Sequence, residues 1–298
     1  MGAPSARFPG PHVWTLCERF SLRLRRGGGL GLRGKPLPHG VTHGLDFRGF
    51  DDYAPGMDVR HLDWPLYART RRLYVRRYAE ESAGLLVVLA DASGSMGIGG
   101  GEKWARVRDI AAVLVFTALR ELHQVVLGVV HDGRPLWLPA TGGLDFVTEA
   151  FDFLGALEPK GTTDLAGALA ALPKRRLTGH AVLLSDFLDP NGLDPALRQL
   201  AQRGLNADLG QVRQQGELEC PLGLQSLGDP EGEGVYRLEM SSSKAQEIRA
   251  RIQRHDESVG AAVRRHHGRL FNLPVEDELG RSIETLLGQG GRVDAAQA

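Results

Sequence analysis

LLVVLADASGSMG, residues 85–97, is the stretch whose reading decides the fold. It opens with six apolar residues, Leu85 to Ala90. A continuous apolar run of that length, closed by a turn signal, is the signature of a strand buried on both faces, as in a parallel sheet. Its character then changes at once to Asp91-Ala92-Ser93-Gly94-Ser95. One carboxylate and two hydroxyls therefore sit at the C-terminal end of a central strand, the edge at which open α/β sheets bind ligands. Oxygen-only donors suit a hard cation such as Mg²⁺. Asp, Ser and Gly are also ordinary turn residues, so the stretch alone fits a plain strand-to-turn junction equally well.

The flanking sequence supplies the rest of an α/β pattern. GIGGGEK after Met96 reads as a flexible loop. Residues 102–122 carry Trp104, Val107, Ala111, Leu114, Ala118 and Leu122 at helical spacing. VVLGVV at 125–130 reads as a second buried strand, 136–138 as a shorter one, and 146–157 as a helix. Strands alternating with helices argue a parallel sheet covered on both faces. HAVLLSDFLDP, residues 180–190, repeats the opening theme: an apolar strand ending in Ser185-Asp186. Between the two, KGTTDLAGAL places Thr162 and Thr163 in a loop that opens a helix near Asp164; ordinary helix capping would also account for them. Three segments thus bring Asp91, Ser93, Ser95, Thr162 and Asp186 to one predicted sheet edge. Further on, 194–203 reads as a helix and 207–215 as an unusually polar strand. An irregular hairpin region follows, then a long helix after Ser241–Ser243. A short strand at 269–273, a helix at 276–287 and a tail at 291–298 complete the pattern.

The N-terminal third is less regular. Residues 14–25 suggest a short amphipathic helix broken by the glycine-rich stretch from Gly27 to Gly34. Gly29 to Lys35 spells G-x-x-x-x-G-K, but Pro36 replaces the Ser or Thr that would hold Mg²⁺ in a phosphate loop, and no helical pattern follows. Residues 45–81 carry a Pro55-Gly56 turn and a strand at 72–79. Six arginines lie between Arg60 and Arg77 among Trp64, Tyr67, Tyr74 and Tyr78. Arginine with aromatics suits single-stranded nucleic acid. Asp51, Asp52, Asp58, Asp63, Glu80 and Glu81 balance those arginines one for one, however, which favours an internally paired polar surface over nucleic-acid binding.

The set Asp91-x-Ser93-x-Ser95, Thr162 and Asp186 resembles the metal-ion-dependent adhesion site of von Willebrand factor A domains. Across roughly residues 45–287 the chain is similar to a bacterial family of unknown function whose A domains accompany MoxR-type AAA+ ATPases. FRGFDDYAPGMDVRHLDW and RTRRLYVRRYAEE carry that likeness ahead of the first A-domain strand. The resemblance implies a Rossmann-like α/β domain with a mostly parallel central sheet over 83–290. A smaller family-specific region with some strand, 1–82, would precede it. It further implies Mg²⁺ or Mn²⁺, with Ser93, Ser95 and Thr162 (or Thr163, one residue on) touching the metal, and Asp91 and Asp186 acting through bound water. Neutral hydroxyls leave metal charge unneutralised, so a partner carboxylate is the expected remaining ligand.

The expected function is therefore a non-enzymatic protein-binding adaptor working with a MoxR-type ATPase on a client protein. A hydrolase or phosphotransfer enzyme using Asp91 or Ser93 is the alternative. It lacks the G-x-S-x-G pattern, and Lys103 and Lys160 are its only candidate cationic clamps, neither placed by a motif. Nucleic-acid binding through the arginines at 60–77 is a third reading. Equal numbers of basic and acidic residues, 36 each, give no global field toward nucleic acid or an acidic membrane. Cys17 and Cys220 are too far apart in sequence to make a disulfide framework. There is no apolar run long enough for a membrane span, and residues 1–14 lack the apolar core of a signal peptide. These features lead to the expectation of a cytoplasmic protein. The adjacent His266 and His267 point about 100° apart on a helix and are not expected to share an ion.

Overall fold

The computed structural model describes residues 8–20, 22–25, 28–32, 47–53, 62–78, 84–139, 141–172, 177, 179–218, 221–228 and 234–288. The chain divides into two compact units, one formed by Met1–Gly34 with Gly84–Ala298, the other by Lys35–Ala83. The expected turn at Pro55-Gly56, Lys35 and Pro36, Glu80, Glu81, Cys220 and the tail 291–298 lie outside the described residues.

The first segment differs from its sequence reading. Helix α1 spans Pro11–Arg19 and is followed by an antiparallel pair, β1 (Leu22–Arg25) and β2 (Gly28–Leu32). The helix ends early because Leu-Arg-Leu-Arg, residues 22–25, has the two-residue period of a strand. Residues 1–34 group in one unit with Gly84–Ala298. Val13, Leu16, Cys17, Phe20 and Leu22 are buried in its main core. Trp14 packs edge-on against Phe116 and Phe151, and Arg120 Nη1 donates to the Cys17 carbonyl at 2.8 Å.

In the smaller unit, β3 (Phe47–Asp52) pairs antiparallel with β4 (Tyr74–Tyr78). Helix α2 (Trp64–Thr70), not foreseen from sequence, sits between them in the chain. It starts where Asp63 accepts the Leu66 N–H at 2.7 Å and Pro65 occupies the first turn. Asp63 thus caps the helix, and Arg69, Arg71 and Arg72 are exposed.

The rest of the chain is an alternating α/β sequence. Strand β5 (Leu85–Asp91) leads through a 3₁₀ segment, Gly94–Gly101, into α3 (Glu102–Arg120). Then come β6 (Gln124–His131), β7 (Arg134–Trp137), α4 (Phe146–Ala156), α5 (Leu165–Ala170), β8 (Gly179–Ser185), α6 (Asp194–Arg203) and β9 (Leu205–Arg213). The hairpin β10 (Gly223–Gly228) and β11 (Val235–Met240), the long α7 (Ser242–Arg265), β12 (Arg269–Pro274) and α8 (Leu279–Gly288) complete the series. Six strands form one sheet in the order β12-β9-β8-β5-β6-β7, parallel throughout except for the edge strand β7. This is the expected Rossmann-like α/β architecture with a mostly parallel sheet.

Alternation along β5 explains why its whole run is apolar. Leu86, Val88 and Ala90 join the core under α1, α3, α4 and α8; Val87 and Leu89 join the core under α5, α6 and α7. The polar strand expected near 207–215 is β9. Its buried Asp208 accepts the Arg269 Nε–H at 2.7 Å, and Gln211 reaches Asp256, so both of these buried polar side chains of β9 have a partner. Leu122 departs from its expected place on the α3 face: the helix ends at Arg120, and Leu122 is 63% exposed with φ of 60°. Among the described residues, no helix is long and apolar enough to cross a membrane.

Candidate functional site

The chain leaves β5 toward β6 on one side of the sheet and later returns to place β8 on the other side. Loops following β5 and β8 therefore separate above their strand ends, which is where open α/β sheets form a crevice. Asp91 closes β5 and Ser185 closes β8, side by side. Asp91 is fully buried and its carboxylate accepts three hydrogen bonds. Oδ1 accepts the Ser93 N–H at 2.9 Å, while Oδ2 accepts the Ser185 hydroxyl at 2.6 Å and the Thr163 hydroxyl at 3.1 Å. The Ser93 and Ser95 hydroxyls lie 3.1 Å apart, both buried. Burial, reinforced by the charge of Asp186, pushes the Asp91 carboxyl up to about 6; hydrogen bonds from Ser185 and Ser93 act in the opposite direction.

Of the five residues taken from the sequence, Asp91, Ser93, Ser95 and Asp186 are buried around this point. Thr162 is not. It is exposed, and its neighbour Thr163 supplies the hydroxyl at Asp91. The cause is the backbone. The Thr162 carbonyl accepts the Gly133 N–H at 3.0 Å, the Lys160 carbonyl accepts the Asp132 N–H, and the Lys160 N–H donates to Ala92 O at 2.8 Å. The Gly94 N–H donates to Gly161 O at 2.7 Å. These bonds stitch the 160–163 loop to the ends of β5 and β6 and leave Thr163 as the inward residue.

Two supports were not legible as such in the sequence. Asp189 Oδ2 accepts the Leu165 N–H at 2.9 Å and Oδ1 accepts the Asn191 N–H at 2.8 Å, tying the loop after β8 to the start of α5, next to Thr163. Its carboxyl is raised by burial, the same two bonds opposing the shift. The other support is Lys103, in the first turn of α3, whose side chain is 1% exposed. Nζ donates to Asp186 Oδ2 at 2.9 Å and pairs with Glu217, which lies in the turn after β9. Asp186 Oδ1 accepts the Leu188 N–H at 3.2 Å. The glycine run before α3 makes this placement possible. Gly99, Gly100 and Gly101 all have φ between 71° and 83°, a left-handed path that residues with a Cβ avoid. The loop expected to be flexible is thus a defined turn that delivers Lys103 into the interior.

The donor set is hydroxyl-rich. Among the described residues no three His, Cys, Asp or Glu side chains form a metal cage. Ser93, Ser95 and Thr163 with Asp91 and Asp186 instead offer oxygen donors of two charge types, which fits a hard divalent cation. His266, by contrast, bonds Asp194 at 3.1 Å, away from this set, and closes α7.

Comparison with known proteins places these features in context. Uncharacterized proteins of Mycobacterium bovis and Mycobacterium tuberculosis are each 32% identical over 158 residues, 51% of this chain and 50% of theirs. The chain thus spans about half the length of the curated relatives it matches. Among solved structures, the SpRpn10 VWA domain has a TM-score of 0.39 at 13% identity, covering 70% of this chain and 99% of that one. The manganese-loaded Plasmodium vivax TRAP protein has a TM-score of 0.31 at 16% identity, over 43% of this chain and 56% of that one. The pilus adhesin SpaC of Lactobacillus rhamnosus GG, in its open conformation, has a TM-score of 0.36 at 13% identity, over 69% and 29%. The family model described as "Protein of unknown function DUF58" matches residues 50–261, and the chain belongs to that family.

Proposed function

We propose that this chain is a non-enzymatic, divalent-metal-dependent protein-binding module that works with a MoxR-type AAA+ ATPase on a client protein. The observation that carries the reading is the convergence of Asp91, Ser93, Ser95 and Thr163 at the ends of β5 and β8, with Asp186 beside them. Ser93, Ser95 and Thr163 would hold Mg²⁺ or Mn²⁺, and Asp91 and Asp186 would orient its water. When bound, the ion supplies a Lewis-acidic position that attracts a carboxylate from the partner. The chain's own residues do the remaining work: Ser185 and Thr163 fix the Asp91 carboxylate, and Asp189 fixes the Thr163 loop.

The MoxR-type partner is part of this proposal on the strength of family resemblance, and the proposed client is a protein that offers a carboxylate. The phosphotransfer alternative is weaker, because the Lys103 ammonium is engaged by Asp186 and Glu217 and is not available as a phosphate clamp.

Calorimetric titration of Mn²⁺ and Mg²⁺ tests the reading. Wild type should bind one ion, and Ser93→Ala with Ser95→Ala should abolish binding while circular dichroism stays unchanged. Undiminished binding in the double variant would remove the site. A MoxR-type ATPase mixed with the chain should co-sediment in Mg²⁺ and separate in EDTA.

A further inference from the structure

Lys103 is among the largest fully buried side chains of the described structure, in the company of Phe187, Met96, Ile110 and several leucines, and in that group it alone carries a charge. Burying an ammonium is costly unless it is paired and hydrogen-bonded. Hydrophobic packing at this position of α3 would have been simpler, since Trp104, Val107 and Ile110 fill the neighbouring interior. Lys103 meets the cost by bonding two carboxylates from separate segments, Asp186 after β8 and Glu217 after β9. One of the two is a member of the donor set itself.

Resting on the metal-site reading above, we infer that Lys103 is a built-in counter-cation that sets the affinity of the site for a divalent ion. With its pair to Lys103, Asp186 presents less negative potential to an incoming cation than a free carboxylate would. Glu217 draws part of the ammonium's charge away from Asp186. Asp91, Asp186 and Glu217 bring three carboxylates against one ammonium, an excess of two negative charges that a divalent ion would neutralise. Affinity is therefore tuned by a balance between Lys103 and Glu217, neither of which is in the donor set.

A charge cycle tests this, with Mn²⁺ as the probe, read by calorimetry and by the electron paramagnetic resonance of free Mn²⁺. Lys103→Met removes the repelling charge and should tighten Mn²⁺ binding by about tenfold or more. Glu217→Gln releases the ammonium's field onto the site and should weaken binding by about the same factor. The double variant restores the original charge excess and should return to near the wild-type Kd. A merely structural Lys103 would give weakened binding in all three variants, or no change in any, and either result overturns the inference. Should Lys103→Met fail to fold, Glu217→Gln against the wild type carries the same test, and equal Kd values there overturn it. Wild-type binding with no response to the charge changes removes this inference alone. A wild type and a Lys103→Met variant that both fail to bind Mn²⁺ remove the metal-site reading with it.

Discussion

The Ser185 hydroxyl donates to Asp91 Oδ2 at 2.6 Å while accepting the Phe187 N–H at 2.8 Å, so one buried oxygen joins the ends of two neighbouring strands. Ser185 was read in the sequence only as the residue before Asp186. Its bond runs across the sheet, between residues 94 positions apart, and no local pattern announces it.

Ser185→Ala should leave the Phe187 N–H without this acceptor and Asp91 with one fewer donor. A loss of about 1–3 kcal/mol is expected for orphaning buried polar groups. Urea unfolding of the metal-free protein measures it. A change within a few tenths of a kcal/mol would show that the bond contributes little.

Thr163 and Thr162 are adjacent, and their substitution should separate. Thr163→Val removes a donor to Asp91 from a buried position and should abolish the Mn²⁺-induced rise in Tm. Thr162→Val changes an exposed residue and should leave that rise intact. Scanning fluorimetry with and without Mn²⁺ compares them, and the reverse pattern would return the site to Thr162.

Gly128 in β6 lies directly under Trp137 of β7, its register partner, and a Cβ at Gly128 would fall 2.3 Å from the indole ring. Gly128→Ala should displace Trp137 and lengthen its Nε1–H bond to Ala168 O, now 3.3 Å. A cost of about 1–3 kcal/mol follows from overpacking. A red-shifted tryptophan emission with a lowered urea midpoint is the expected signature.

Asp194, the first residue of α6, is bonded by Arg265, His266 and Arg198. Those bonds, led by that of Arg265, hold its carboxyl down at about 2, below its ordinary value of 3.8. A depressed folded-state value means the group stabilises the fold above about pH 4 and that this contribution is lost as pH falls toward 2. Asp194→Asn should therefore reduce stability at pH 6 and flatten the acid-side slope between pH 4 and pH 2. Equal slopes for the two proteins would discount the cluster.

What could be read before folding was what repeats locally. The alternating strands and helices, the switch in β5 from Leu-Val-Val-Leu-Ala to Asp-x-Ser-x-Ser, and the second carboxylate after β8 are all near-neighbour patterns. The two-faced burial of β5 follows from its unbroken apolar run. Harder to read was anything fixed by tertiary bonds. The choice of Thr163 over Thr162 is set by where Gly133, Ala92 and Gly94 bond the 160–163 loop. Lys103 was legible as a cation near the site, but its partner Glu217 arrives from 114 positions away. α2 is only seven residues long, too short to display a helical period, and it is started by Asp63 and by Pro65 in its first turn.

The sheet order has a consequence for how the site comes into being. β5, β6 and β7 leave the ribosome well before β8, so during synthesis β5 is for a time the open margin of a three-stranded ribbon, with Asp91 lacking Ser185. Docking of β8 on β5 and of β9 on β8 converts that margin into the middle of the sheet. The same event delivers Ser185, Asp186 and, a little later in the chain, Glu217. The corner around Asp91 and the centre of the fold are thus completed by the same long-range pairing, so any protection that a bound ion gave a nascent chain would begin only once Ser185, Asp186 and Glu217 have emerged.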